Sequence, residues 1–122
     1  MLTLFARLKK WFQRKPITTT LLVDDTGITF RRSDGVPPDF IRWDAINEIQ
    51  TYKYDLYGWD EICVALHVGE LWYELSEEHL GFIDAITAMQ LRFPSIPEHW
   101  YFDVSHPAFA TNQRVLWTRS PK

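Results

Sequence analysis

Short runs of apolar and β-branched residues, separated by turn-forming residues, fill the chain from residue 17 to residue 76. Such runs predict β-strands, and the Asp24–Gly27 and Ser33–Pro38 stretches predict turns because they combine Gly or Pro with Asp. Gly69-Glu70 has the length of a two-residue hairpin turn. Six strands are therefore predicted, at residues 17–23, 28–32, 39–43, 46–56, 61–68 and 71–76.

The spacing of apolar residues changes from that of strands to that of a helix after residue 76. Ser76 is a candidate N-cap and Pro94 ends the pattern, so a helix is predicted over residues 77–92. The apolar positions that carry this prediction are Leu80, Phe82, Ile83, Ile86, Met89 and Phe93. A short helical turn near 97–102 and a last strand over 114–119 complete the predicted elements.

The predicted elements fit one domain, assigned to residues 16–122, because a chain of 122 residues can bury one good core. Hairpin-connected strands followed by a helix indicate the α+β class. The expected architecture is an antiparallel, strongly bent sheet or partly open barrel, and the helix in the C-terminal half covers one side.

Residues 1–16, called the arm below, place large apolar residues at helical spacing before Pro16, which cannot continue a helix. An N-terminal amphipathic helix is therefore predicted over residues 1–15. Its apolar stripe consists of Leu4, Phe5, Leu8, Trp11 and Phe12. Arg7, Lys10 and Arg14 lie on the opposite side, with Lys9 at the edge.

Charge is divided unevenly between the arm and the rest of the chain. The arm has five basic residues and no acidic one, which leaves eight basic and 16 acidic residues, a net charge of −8, for residues 17–122. Nucleic-acid binding is not expected, because it requires a basic face on the domain itself. An acidic body suits a basic protein partner instead.

The arm could pack on any of four things, and the sequence leaves the choice between them open. Its apolar stripe could pack on the sheet of its own chain or on a second copy in a swapped homodimer. Large apolar residues opposite Lys and Arg are also typical of a helix that docks on an anionic membrane surface. The fourth candidate is a separate protein.

No signature of catalysis or of a cofactor is present in the sequence. The single cysteine, Cys63, lies in an apolar strand-like run, which is typical of a buried and unreactive thiol. The four histidines lack the close spacing of a zinc site, and no nucleophile has an evident base. We therefore predict a non-enzymatic protein without metal or cofactor, of cytoplasmic type and with a peripheral membrane contact as the open alternative.

An aromatic and acidic stretch around residues 52–61 is the candidate protein-binding patch. Aromatic side chains in or beside a loop mark contact surfaces, although the same rings can simply cover the end of a sheet. The residues of this patch are Tyr52, Tyr54, Asp55, Tyr57, Trp59, Asp60 and Glu61.

A turn with Gly27 and Ile28 precedes a strand that ends at Trp43, and a short connection with Asp44 and Ile46 follows. Through these residues the stretch from residue 17 to residue 93 resembles bacterial pleckstrin-homology-like domains. It implies a binding scaffold, but six strands rather than seven precede the predicted helix, and the acidic turn at Asp24–Gly27 replaces the basic loop that binds phosphoinositides in that family. Binding of a phosphorylated head group is therefore not expected.

The whole chain is also similar to a group of small bacterial proteins of unassigned function. The matching residues are Asp55, Glu61, Thr111, Asn112, Trp117 and Arg119. We therefore expect a bacterial protein-interaction module, such as an inhibitor or immunity-like partner of a basic protein. The alternative is a peripheral membrane protein that docks through its arm.

Overall fold

The structure is a computed structural model that describes residues 17–55, 59–108 and 110–119. The predicted helix over residues 1–15 lies outside the described residues, and so does Tyr57. The described elements are the strands β1 (Thr19–Val23), β2 (Gly27–Arg32), β3 (Asp39–Arg42), β4 (Glu48–Asp55), β5 (Asp60–Val68) and β6 (Leu71–Ser76), the helices α1 (Phe82–Arg92) and α2 (Trp100–Ser105), and the strand β7 (Arg114–Thr118).

The α+β class and the antiparallel strands are confirmed, with six described strands before α1 and one after it. The strands form two separate sheets, β1-β2-β3 and β6-β5-β4-β7, and neither is closed. A 3₁₀ turn at Trp43–Ala45 separates β3 from β4, so the strand pairing does not continue from one sheet to the other.

One hydrophobic core joins the two sheets and both helices. Leu21, Ile28 and Ile41 come from the three-stranded sheet, and α1 adds Phe82 and Met89. The four-stranded sheet contributes Ile49, Ile62, Val64, Leu66, Leu75 and Leu116 from one of its faces, and α2 contributes Trp100 and Val104. Both helices therefore bury their apolar residues on the same side of the four-stranded sheet.

Helix α1 begins at Phe82 and not at residue 77, so the predicted N-cap at Ser76 is wrong. Residues before Phe82 extend the three-stranded sheet instead, since the Leu80 amide donates to the Thr19 carbonyl at 3.0 Å and the Leu80 carbonyl accepts from the Leu21 amide at 2.7 Å. Gly81 then reverses the chain with a φ of 84°. Leu80 and Ile83, two of the predicted apolar positions, are consequently 61 % and 73 % exposed.

Lys53 fastens the segment after α2 to the four-stranded sheet. It is 1 % exposed, and its ammonium group pairs with Asp60 at 2.8 Å and donates to the carbonyls of Ser105 and Pro107. A buried charge that is both paired and hydrogen-bonded avoids most of the cost of desolvation. In the part of the chain that the structure describes, no helix is long and apolar enough to cross a membrane.

Candidate protein-binding face

The face of the four-stranded sheet that points away from the core is the candidate site. The core residues Ile49, Ile62, Val64, Leu66 and Leu75 share one face of β4, β5 and β6 in the strand register, so the residues that alternate with them point outwards. We call this set the outer face: Glu48, Gln50, Tyr52, Tyr54, Glu61, Cys63, Ala65, His67, Trp72, Glu74 and Ser76. Among the described residues of these three strands, the outward positions include no Lys or Arg.

Two tyrosines of β4 reach across β5 to one carboxylate on β6. The Tyr54 hydroxyl donates to Glu74 Oε2 at 2.8 Å, and the Tyr52 hydroxyl donates to the same oxygen. The two rings meet edge to face with their centroids 5.5 Å apart, a favourable arrangement for aromatic pairs. Burial and the hydrogen bond to Glu74 raise the pKa of Tyr52, and chiefly that hydrogen bond raises the pKa of Tyr54, so both hydroxyls stay protonated donors.

Small side chains form the floor beneath this bridge. Cys63 lies opposite Tyr52 and Ala65 opposite Glu74, and they are only 0 % and 6 % exposed although they point away from the core. Burial raises the pKa of the Cys63 thiol to about 12, so the thiol is protonated and unreactive at neutral pH. The expectation that Cys63 is buried is confirmed.

Two pairs of residues extend the outer face at its ends. Near the start of β6, the Trp72 indole stacks on the His67 ring with centroids 4.5 Å apart and stays 48 % exposed. At the other end, the Ser76 hydroxyl donates to the Glu61 carboxylate. The resulting surface has aromatic rings and carboxylates around a low floor of small residues.

A second carboxylate network continues from this end towards α2. Glu77 accepts hydrogen bonds from the Ile62 amide at 2.9 Å and from the Tyr101 hydroxyl at 2.7 Å. Burial and this hydrogen bond raise the pKa of Tyr101 to about 12. The Ser76 amide donates to His79 Nδ1 at 3.0 Å, and burial lowers the pKa of His79, so this imidazole is neutral.

The structure brings only part of the predicted 52–61 patch together. Tyr52, Tyr54 and Glu61 share the outer face, whereas Asp60 turns inwards and pairs with Lys53. Asp55 and Trp59 stand at the end of the β4–β5 hairpin, where both are exposed and Trp59 is 58 % exposed. The predicted patch is therefore a strip of a larger face, and its role in binding stays a prediction.

Sequence reasoning missed Trp72 and Glu74, which complete the outer face from β6. The alternation in "LWYELS" could have found them, because Tyr73 and Leu75 face the core and the residues between them must face outwards. Their closeness to Tyr52 and Tyr54 depends on the order β6-β5-β4, which a period-two pattern does not contain.

Neither metal binding nor nucleophilic catalysis finds support in the described residues. Among residues 17–55, 59–108 and 110–119, no group of three or more His, Cys, Asp and Glu side chains could hold a metal ion. Ser105 Oγ lies 2.9 Å from His106 Nδ1, but both atoms are also hydrogen-bonded to the Phe102 carbonyl at the end of α2. This arrangement closes the helix rather than activating a nucleophile.

A shallow groove of about 270 Å³ lies away from the outer face. It is lined by Trp43, Asp44, Arg92, Phe93, Trp117 and Arg119. Arg119 donates to the carbonyls of Asp44 and Ile46 at 2.6 Å each, and Arg92 donates to the carbonyl of Asp25. Both guanidinium groups are therefore hydrogen-bonded to the backbone of neighbouring loops at this groove.

Comparison with known proteins adds no family to this description: no family model, curated protein or solved structure matches the chain.

Proposed function

We propose that this protein is a non-enzymatic protein-binding module whose outer face takes a basic, amphipathic segment of a protein partner. The observation that carries this proposal is the composition of the outer face. It combines the exposed rings of Tyr54 and Trp72 with the carboxylates of Glu48, Glu61 and Glu74, and it contains no Lys or Arg at the outward positions of the described strands β4–β6.

Each part of this surface has a role in such binding. Tyr and Trp side chains contribute most of the binding energy in protein interfaces, since they bury a large area at a small cost in conformational entropy. The floor of Cys63 and Ala65 is closed from solvent, so a partner contacts the rings and carboxylates that stand above it. The carboxylates attract a positively charged partner and orient it during the encounter.

Binding of a defined probe tests the proposal. The probe is a synthetic amphipathic helix built of Leu and Lys, as long as the arm and labelled for fluorescence anisotropy. A peptide of the same composition in scrambled order serves as the control probe. We expect the amphipathic peptide to bind the full chain and the scrambled peptide to bind at least about tenfold more weakly, because only the first presents an apolar stripe to the face.

Charge variants assign the binding to the outer face. Glu74→Lys should weaken binding of the amphipathic peptide about tenfold. Glu74→Gln keeps a hydrogen-bond acceptor for the tyrosines and should weaken this binding less. Glu98→Lys is the matched control, because it makes the same charge change at an exposed position just before α2. Equal weakening by Glu74→Lys and Glu98→Lys would assign the binding to net charge and overturn the site.

Asp60 is not a suitable position for such a test, although it belongs to the predicted patch. Its ion pair with the buried Lys53 means that a charge reversal there would leave a buried ammonium group without its partner. Loss of binding in that variant would report unfolding of the hairpin rather than loss of a contact.

The pleckstrin-homology-like relationship and the inhibitor or immunity-like role stay proposals. Two antiparallel sheets and a helix around one core support a binding scaffold of that general kind. The placement of α1 between β6 and β7 departs from the expected order of that family.

Peripheral membrane docking is the second candidate function, and the amphipathic pattern of the arm favours it. Co-sedimentation of the full chain with vesicles that contain an anionic lipid tests it. Pelleting that the substitutions Trp11→Ser and Phe12→Ser abolish would support this candidate, and a chain that never pellets would eliminate it.

A further inference from the structure

The outer face has the composition of a packing surface. An antiparallel sheet with one face in water alternates apolar residues towards the core and polar residues towards solvent. Here the outward positions instead include Tyr54 and Trp72, which are 42 % and 48 % exposed, above a floor of Cys63 and Ala65. Because these rings remain exposed around a buried floor, they leave apolar surface on which another structural element can pack.

The arm is complementary to this surface in apolar character and in charge. Its apolar stripe supplies large side chains at positions such as Leu8 and Trp11, which a helix places along one side. It carries five basic residues and no acidic one, whereas Glu48, Glu61 and Glu74 are the charged groups of the outer face. Lys9 lies at the edge of the stripe, so its ammonium group can reach a carboxylate beside the helix.

Charge distinguishes the outer face from the outward face of the three-stranded sheet. That second face also has exposed apolar residues, Leu22 at 43 % and Phe40 at 47 %. However, it carries Arg31 and Arg42, because these residues alternate with the buried Ile28 and Ile41. Arg42 is paired with Asp44 of the following turn, so a basic arm meets three carboxylates on the outer face and none at the outward positions of β1–β3.

The first described residues after the arm lie near the end of β6, the strand at the edge of the four-stranded sheet. The Thr19 carbonyl accepts from the amide of Leu80, which follows the end of β6 by four residues. In addition, the ring of Phe30 in β2 lies 6.1 Å from the ring of Tyr73 in β6. A helix of the arm's length extends about 24 Å, and the distance from β6 to β4 is about 10 Å, so the arm is long enough to cross the outer face.

We infer that the arm packs its apolar stripe on the outer face of its own chain. It then covers the surface that the partner occupies, and the partner must displace it. This second part rests on the proposed function, whereas the packing of the arm does not.

Protection of the arm from trypsin tests the packing in the full chain. Four of the five basic residues of the arm, Arg7, Lys9, Lys10 and Arg14, are trypsin sites, because Lys15 precedes Pro16, and a packed helix hides them. The double variant Leu8→Ser/Trp11→Ser removes two residues of the stripe, and Ala6→Ser/Gln13→Ser is the matched control outside the stripe. We expect the first variant to be cleaved in the arm at least about tenfold faster than the wild type and the control to be cleaved at the wild-type rate.

Carbodiimide coupling of Lys to Glu identifies the surface that the arm contacts. In a mixture of ¹⁴N- and ¹⁵N-labelled protein, we expect amide bonds from arm lysines to Glu48, Glu61 or Glu74 in which both linked peptides carry the same isotope, as they do when the bond forms within one chain. Coupling only between the two isotopes would show a second copy as the occupant and overturn the inference. Equal trypsin rates for all forms, or protection that arises only when anionic vesicles are added, would also overturn it.

The Leu and Lys peptide separates the two proposals. If both hold, Leu8→Ser/Trp11→Ser binds the peptide at least about tenfold more tightly than the wild type, because the face is uncovered. If the peptide binds neither form while the arm still couples to the outer face, the proposed function fails and the packing stands. If the peptide binds both forms equally and the arm is cleaved equally fast, the packing fails and the proposed function stands.

Discussion

At the residue scale, burial decides which groups beside the outer face can change charge. Burial lowers the pKa of His79 and keeps its imidazole neutral, and the negative charges of Glu61 and Glu74 oppose this effect without overcoming it. Protonation would also remove the Nδ1 lone pair that accepts the Ser76 amide. The folded chain therefore binds this proton less readily than the unfolded chain does, so acid favours unfolding.

We predict that the free energy of unfolding falls as the pH is lowered below neutrality, partly because of His79. The loss begins as the pH drops through the ordinary histidine value near 6.5 and is complete below the lowered folded pKa. Urea denaturation of the wild type and of His79→Asn, which keeps an acceptor at the same position, measures it. The variant should lose less stability over this range, and an equal loss in both proteins would contradict the assignment.

At the element scale, the start of α1 depends on one glycine. Gly81 has a φ of 84°, and a Cβ there would lie 2.3 Å from the Leu21 carbonyl oxygen. Gly69 has a similar φ of 61°, but a Cβ there would meet no atom within 4 Å. Comparing alanine substitutions at the two positions therefore separates the cost of backbone strain from the cost of a steric collision with β1.

We predict that Gly81→Ala lowers the free energy of unfolding by about 2–4 kcal/mol, because strain and collision add. Gly69→Ala should cost about 1 kcal/mol, since only the strain of a positive φ applies. Urea denaturation of both variants checks this. Similar losses for the two variants would show that the approach of Gly81 to β1 has no energetic consequence.

The elements also show what the sequence could predict. Strands were predictable because β-branched and apolar runs end at strong turn signals such as Asp24–Gly27 and Gly69-Glu70. The start of α1 was not, since the residues before it look like a capped helix and form long-range hydrogen bonds with β1 instead. The division into two sheets and the meeting of Tyr52 with Glu74 depend on strand order, which long-range packing determines.

At the scale of the whole molecule, charge separates a basic arm from a body with a net charge of −8. Electrostatic attraction between them acts over about 10 Å at 0.1 M ionic strength and over only about 3 Å at 1 M. On the helix predicted for the arm, Arg7, Lys10 and Arg14 lie away from the apolar stripe, so we expect most of this attraction to be of long range and easily screened. The apolar contacts of the stripe are not screened by salt.

Salt should therefore lower the association rate of a basic segment and change its dissociation rate much less. We predict that raising the ionic strength from about 0.05 M to about 0.5 M slows association of the Leu and Lys peptide with Leu8→Ser/Trp11→Ser by about tenfold. Dissociation should change by less than about threefold, because the apolar contacts govern it. Stopped-flow anisotropy measures both rates, with Glu74→Lys as the variant whose association should depend less on salt. An association rate that is independent of ionic strength would contradict the role of the acidic outer face.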